Sequence, residues 1–341
     1  MVVNPFTLDY NQSMNWEMLG HEWAVNLLRE HIARNNPRHA YLVTGSYGVG
    51  RRTLALRFAQ ALNCPEPLSP EVPCRTCRTC KLIEQMHYPD LTIVQADQVG
   101  GILKVDEVRE LQHRLALAPY EGQYRVALLL RFEEANPSAA NALLKTLEEP
   151  PPQVVLVLTA ESAERLLPTI VSRCEVLRLR PLPIGIVQQG LRDLWGLPDD
   201  QARLFAHISG GRPGYALQLY NSPDLLARRQ AWLDDHAQLL SASRVDRFAY
   251  AEALAKDKET LRNTLRIWLS YWRDVLLRAG GVSGSISNLD RENEIEAIVA
   301  RLSLGQAHQV VAALERTLDL LESNVNARLA TEVLFLDLPR I

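Results

Sequence analysis

The chain has 341 residues, a net charge of −3 and 47% hydrophobic residues, too long for one ordinary core, so two or three domains are expected. The near-neutral balance lacks the basic signature of a general nucleic-acid binder, and no apolar run approaches the ~18 residues of a membrane span. Met1–Tyr10 lacks the charged-then-apolar layout of a signal peptide, so a cytoplasmic chain is expected.

Residues 16–35 read as an amphipathic helix with Trp23, Ala24, Leu27, Leu28 and Ile32 on one face, ended by Pro37. A strand at 40–44 leads into Gly45-Ser46-Tyr47-Gly48-Val49-Gly50-Arg51-Arg52-Thr53, and a helix follows to about Asn63. A Pro- and Cys-rich insert covers 64–80, and a helical piece runs from Leu82 to Met86. Strands are expected at 91–94, 126–130, 154–158 and 175–179, with helices at 104–117, 138–148 and 166–171 between them. Strands alternating with helices imply a parallel sheet covered on both faces. After Pro181-Leu182-Pro183 the strand signal stops. Two or three short helices are expected over 184–220, and the pattern is helical from 223 onward. Its clearest segment is 258–278, with Trp268 and Trp272 on an apolar stripe that reads as core or subunit interface. A Gly/Ser-rich loop, Gly280 to Ser287, precedes further helices at about 291–303, 305–322 and 326–336.

Strand, glycine loop and helix are the setting of a P-loop, in which backbone N–H groups close round phosphate oxygens. Gly45, Gly48 and Gly50 keep that frame. The working motif also needs a Lys for the β/γ-phosphates and a Ser or Thr for Mg²⁺, and here those positions are Arg51 and Arg52. Glu133 and Glu134 follow the buried run Val126 to Leu130, where a P-loop ATPase keeps its Mg²⁺-holding acidic pair. Thr159 ends the next buried strand, where this class of ATPase senses the γ-phosphate; the plainer reading is a hydrogen-bonded turn residue. Cys64, Cys74, Cys77 and Cys80 form C-x9-C-x2-C-x2-C, a spacing that lets four thiolates enclose one structural Zn²⁺. The competing reading is four free thiols. Arg173, in Ser172-Arg173-Cys174, lies between a short helix and the last strand. An Arg there is either an ordinary surface residue or a planar fork able to reach a phosphate held by a neighbouring subunit.

Together these motifs resemble the clamp-loader branch of the AAA+ superfamily. The resemblance covers residues 17 to about 220 well and the last third only as a helical pattern. Its most specific pieces are Asn141-Ala142-Leu143-Leu144-Lys145-Thr146-Leu147-Glu148-Glu149-Pro150-Pro151, Ser172-Arg173-Cys174, the four-cysteine insert and His39-Ala40-Tyr41-Leu42. Gly214, in Arg212-Pro213-Gly214-Tyr215, stands where the ATP-hydrolysing γ/τ subunits place an Arg. The chain departs from the family at Arg51-Arg52 and in a shortened segment from Glu133 to Asn141, which should displace the acidic pair.

The resemblance implies an α/β P-loop AAA+ domain over 1–181 with the zinc module at 64–80, a small helical lid over 182–222, and an all-α collar over 223–341 that joins other subunits. It further implies a non-catalytic subunit in which ATP is not bound or not hydrolysed, with Arg173 serving a neighbour's site as an arginine finger. The implied partners are the γ/τ and δ subunits and, through the complex, the sliding clamp and primed DNA. Two alternatives stand beside it. One is an active γ/τ-like ATPase whose Arg51 does the work of Lys, opposed by Arg52 and Gly214. The other is a zinc-dependent nucleic-acid binder, opposed by the pI of about 6.3 and the lack of a basic-aromatic stripe.

Overall fold

The structure, a computed structural model, describes residues 16–282, 284, 286–323 and 325–340. The signal-peptide reading of Met1–Tyr10 and the start of the 1–181 domain therefore lie outside the described residues, as do Ser283 and Ser285 of the Gly/Ser loop.

Helix α1 (Glu22–Ala33) precedes strand β1 (Ala40–Thr44), which feeds through the glycine loop into α2 (Arg51–Asn63). Helix α3 (Arg78–Glu84) leads to β2 (Leu91–Val94), α4 (Val105–Leu115) and β3 (Arg125–Leu129). After a 3-10 turn (Phe132–Glu134) come α5 (Pro137–Glu148), β4 (Val154–Ala160), the single-turn α6 (Pro168–Val171) and β5 (Glu175–Arg178). The five strands form one sheet in the order β2-β3-β4-β1-β5, and every pairing is parallel. β1, β3 and β4 are buried along their whole length, which is why they read as unbroken apolar runs rather than alternating ones.

Alternate residues of each strand serve opposite faces. Tyr41, Val43, Val126, Leu128, Val155 and Val157 pack with Leu54 and Phe58 of α2. Leu42, Ala127, Leu129, Leu156 and Leu158 pack with Val108 and Leu111 of α4 and Leu143 and Leu147 of α5. Register pairs Val43 with Thr159 and Leu129 with Leu158, so the glycine loop, the turn after β3 and Thr159 meet at one sheet edge. Carboxyl-terminal strand ends are where open α/β sheets keep their sites.

Two elements differ from the sequence reading. Trp23 is not on the buried face of α1, being 49% exposed; Ala24, Val25 and Leu28 make that face. Helix α3 starts at Arg78 rather than Leu82 because the Cys77 sulfur caps it, accepting from the Cys80 N–H.

The rest of the chain is helical: α7 (Ile184–Trp195), α8 (Asp199–Ile208), α9 (Pro213–Asn221), α10 (Pro223–Ser241), α11 (Arg244–Leu254), α12 (Lys258–Ala279), α13 (Glu292–Val299), α14 (Leu304–Glu322) and α15 (Ala327–Asp337). The chain forms two compact units. The first runs up to Gly190 and takes in Gly211–Tyr215; the second comprises Leu191–Gly210 and the chain from Ala216 on. Within the second unit Trp268 and Trp272 of α12 are fully buried among Leu265, Leu314 and Phe335, so both are core and not interface. The buried Arg247 donates to the carbonyls of Leu239, Leu240, Phe335, Leu338 and Pro339, tying the end of α15 to the α10–α11 turn. No helix among the described residues is long and apolar enough to cross a membrane.

Candidate functional site

Gly45, Gly48 and Gly50 all have positive φ, at 146°, 80° and 112°. At Gly48 the need for glycine comes from protein, not from a ligand. Its carbonyl accepts from the Gly214 N–H at 2.8 Å, and a Cβ added to it would lie 2.6 Å from the backbone nitrogen of Tyr215. A Cβ on Gly214 would lie 2.9 Å from the Gly48 oxygen. The Tyr215 ring meets Tyr47 edge-on at 6.3 Å and carries the Arg212 guanidinium 4.7 Å above its centroid. On the loop's other flank the buried His21 Nε2 lies 3.1 Å from the Val49 carbonyl. A carbonyl only accepts, so Nε2 carries the proton, and burial holds the imidazole below its usual range and hence neutral.

Arg51, at the position of the phosphate-binding Lys, points into partly buried space. Burial lowers its pKa, the carboxylates of Glu133 and Glu161 oppose that, and Arg131 adds to it. Its Nη1 has no hydrogen-bond partner among the described residues, and neither do Glu133 Oε2 and Ser46 Oγ, which are also buried. Burial pushes the Glu133 carboxyl up, against the pull of Arg51. Glu133 Oε1 accepts from the Glu161 N–H at 3.2 Å, and the Glu161 carboxylate pairs with Arg165 at 2.9 Å. Arg52 turns outward, with Nη2 3.1 Å from the Met86 sulfur, and supplies no Mg²⁺ ligand.

Arg131 was not singled out by sequence, yet it organises this edge. It bends the chain through the left-handed region directly after β3, at φ 50°, and its N–H donates to Thr159 Oγ1 at 3.0 Å. Its Nε donates to both Glu134 oxygens at 2.9 and 3.0 Å, and its Nη2 to the Ala96 carbonyl at 3.3 Å. Glu134 Oε1 also accepts from the Gly100 N–H at 2.7 Å. The acidic pair is thus divided: Glu134 is neutralised by Arg131, while Glu133 faces Arg51. Arg131 thus occupies Glu134 directly, whereas Arg51 acts on Glu133 and Glu161 only through its charge.

The Arg173 side chain follows α6 and is 35% exposed. Its Nη1 donates to the Thr169 carbonyl at 2.8 Å and its Nη2 to Glu148 Oε1 at 2.7 Å. The neighbouring Cys174 thiol is pushed up to about 12 by burial, which leaves it unreactive.

The sulfurs of Cys64, Cys74, Cys77 and Cys80 all lie within 4.8 Å of one another. Cys64 Sγ is 3.6 Å from Cys74 Sγ and 4.0 Å from Cys77 Sγ. Four thiolates about 2.3 Å from a tetrahedral zinc stand about 3.8 Å apart, so these residues fit that ion. Backbone N–H groups already point at the sulfurs: Cys74 to Cys64, Cys77 to Cys74 and Cys80 to Cys77, at 3.3–3.4 Å. Burial pushes the Cys74 thiol up, but the N–H groups of Cys77 and Thr76 bring it down to about 6. Burial and the adjoining thiols push Cys80 up, and burial does the same to Cys64.

The family model for the DNA polymerase III, delta subunit matches residues 20–183, and that for the DNA polymerase III, delta subunit, C terminal, matches 223–339. The chain belongs to this family. The family's DNA polymerase III subunit delta′ of Pseudomonas aeruginosa is 36% identical over 201 residues, covering 58% of this chain and 60% of that protein. Subunit delta′ of Bacillus subtilis is 35% identical over 185 residues, covering 54% and 55%. DNA polymerase III subunit tau/gamma of Haemophilus influenzae is 35% identical over 175 residues, covering 51% and 25%. The chain thus spans 60% or less of the length of these relatives.

Proposed function

We propose that this chain is a δ′-type subunit of a bacterial DNA polymerase III clamp loader that turns over no ATP itself and completes the ATP site of a neighbour. One observation carries the reading. At the glycine-loop edge the arginines are half-buried and face carboxylates of their own domain, Arg131 against Glu134 and Arg51 near Glu133 and Glu161, whereas Arg173 remains an accessible guanidinium on the same α/β domain. At the first edge Arg52 offers no oxygen for Mg²⁺, and Gly48 and Gly214 are packed on one another. A permanently charged fork set against a transferring γ-phosphate in trans is worth ~10³–10⁵ in rate in well-studied GTPases. Zn²⁺ held by Cys64, Cys74, Cys77 and Cys80 is structural, since four thiolates leave no open position. The division follows the sequence: an α/β domain over 1–181, a lid over 182–222 and a collar over 223–341 that joins γ/τ and δ subunits. The complex, working in the cytoplasm, carries the sliding clamp to primed DNA.

The chain alone is expected to show no ATP turnover above background, and with γ/τ and δ subunits it should form a complex that loads clamp. Turnover by the isolated chain that Arg51→Ala abolishes would install the active-ATPase reading instead. Failure to assemble with those subunits would remove the loader reading.

A further inference from the structure

The stretch from Asn141 to Pro151 runs along α5 and past its carboxyl terminus. Its Glu148 is the last residue of α5 and is 52% exposed. A carboxylate at a helix carboxyl terminus opposes the helix dipole, so Glu148 is not there for the helix. Its one oxygen engaged in a hydrogen bond, Oε1, receives Arg173 Nη2 at 2.7 Å. The Thr169 carbonyl holds Nη1 at 2.8 Å, and Ser172 Oγ stands 3.5 Å from the same nitrogen. Two separate elements, the end of α5 and the turn of α6, thus grip the two arms of one guanidinium. Arginine has five N–H donors in a planar fork, so these three bonds leave two, one on Nη2 and the one on Nε, for another acceptor.

We propose that Glu148 is a positioning residue for Arg173: it holds the guanidinium in one rotamer, with donors left over for a phosphate on the adjoining subunit. This rests on the reading of Arg173 as a residue that acts in trans. An exposed ion pair is weak and biases a flexible side chain by only a few fold. That is too little to matter for folding, but it bears directly on the fraction of time the fork is presented. Orientation secured before the reaction raises the rate without tightening ground-state binding. Helix α5, capped by Asn136 two residues after the turn that carries Glu133 and Glu134, thus runs from the glycine-loop edge to the carboxylate that holds the finger.

The test uses the complete reconstituted loader, with assembly and zinc content verified, and follows ATP turnover in the presence of clamp and primed DNA. Glu148→Ala should lower kcat about two- to fivefold, the bias expected of an exposed pair, with KM for ATP unchanged. Glu148→Gln, which keeps an acceptor oxygen, should recover part of the loss. In an Arg173→Ala background, Glu148→Ala should cost nothing further, because two residues acting as one unit are not additive. If Arg173→Ala lowers turnover but Glu148→Ala leaves it unchanged, raises it, or costs the same in both backgrounds, the positioning role is overturned while the trans-acting arginine stands. Full turnover in Arg173→Ala would remove the finger, and Glu148's role with it.

Discussion

Two places on the α/β domain carry arginines where phosphate chemistry is at issue, and they have opposite fates. At the glycine-loop edge, Arg51 and Arg131 are drawn into the protein and set against Glu133, Glu161 and Glu134. Just after α6, Arg173 is held by three exposed bonds and keeps two donors in reserve. The same residue type is therefore turned inward in one place and left available in the other. Burial and counter-charge make the difference, since the guanidinium itself is permanently charged in both. The glycine loop also has a packing role of its own: Gly48 is needed to let Gly214 and Tyr215 approach.

The largest effect should come from the far end of the helix that the glycine loop begins. Cys64 follows α2 directly, so the cysteine module anchors one end of that helix as the loop anchors the other. Structural zinc sites contribute ~10–16 kcal/mol of apparent binding energy at pH 7 in small peptides. Cys77→Ser should lose one equivalent of zinc and a large part of the domain's thermal stability, read by elemental analysis and calorimetry. Native protein without zinc would remove the metal from the account.

Gly48→Ala comes next. A side chain at φ 80° costs about 1–3 kcal/mol, and the new Cβ would also meet the backbone of Tyr215 at 2.6 Å. A fall in Tm is expected although no nucleotide is present. An unchanged Tm would show that the glycine is not held by packing.

Glu133 offers a smaller, pH-dependent test. Burial raises its pKa in the fold above the unfolded value of about 4.3. The native state then holds the proton more tightly, so stability from this group is full below that value and is lost as pH rises through the native pKa. Glu133→Gln should match wild type near pH 4 and become relatively more stable toward pH 7 in thermal melts. A gap that widens toward acid would reverse the burial argument.

Much of this was legible in the sequence, and the parts that were not have a common cause. The strands show as apolar runs because both sheet faces are covered, and the cysteine cluster shows because its spacing is local. The chain through 45–53 announces a strand, glycine loop and helix, which the structure has as β1, the loop and α2. What escaped depends on contacts across long separations. Gly214 reaches Gly48, Arg173 reaches Glu148, and Trp23 turns outward because Val25 takes a place on the face of α1 that meets the core. Arg131 had a local signal after all: a cation stands immediately after the apolar run 126–130, where an acid was sought two residues further on.

The central claim is that Arg173, and not the glycine loop, is this chain's contribution to ATP turnover. Arg173→Ala should change stability by no more than about 0.5 kcal/mol, as surface substitutions do, and should leave zinc and assembly intact. The deciding measurement is clamp- and DNA-stimulated ATP hydrolysis by the reconstituted loader carrying Arg173→Ala. The account predicts a clear fall, diluted by whatever sites in the ring do not depend on this chain, and poor rescue by Arg173→Lys because one ammonium cannot reproduce the fork. Turnover and loading equal to wild type, with assembly verified, would contradict it.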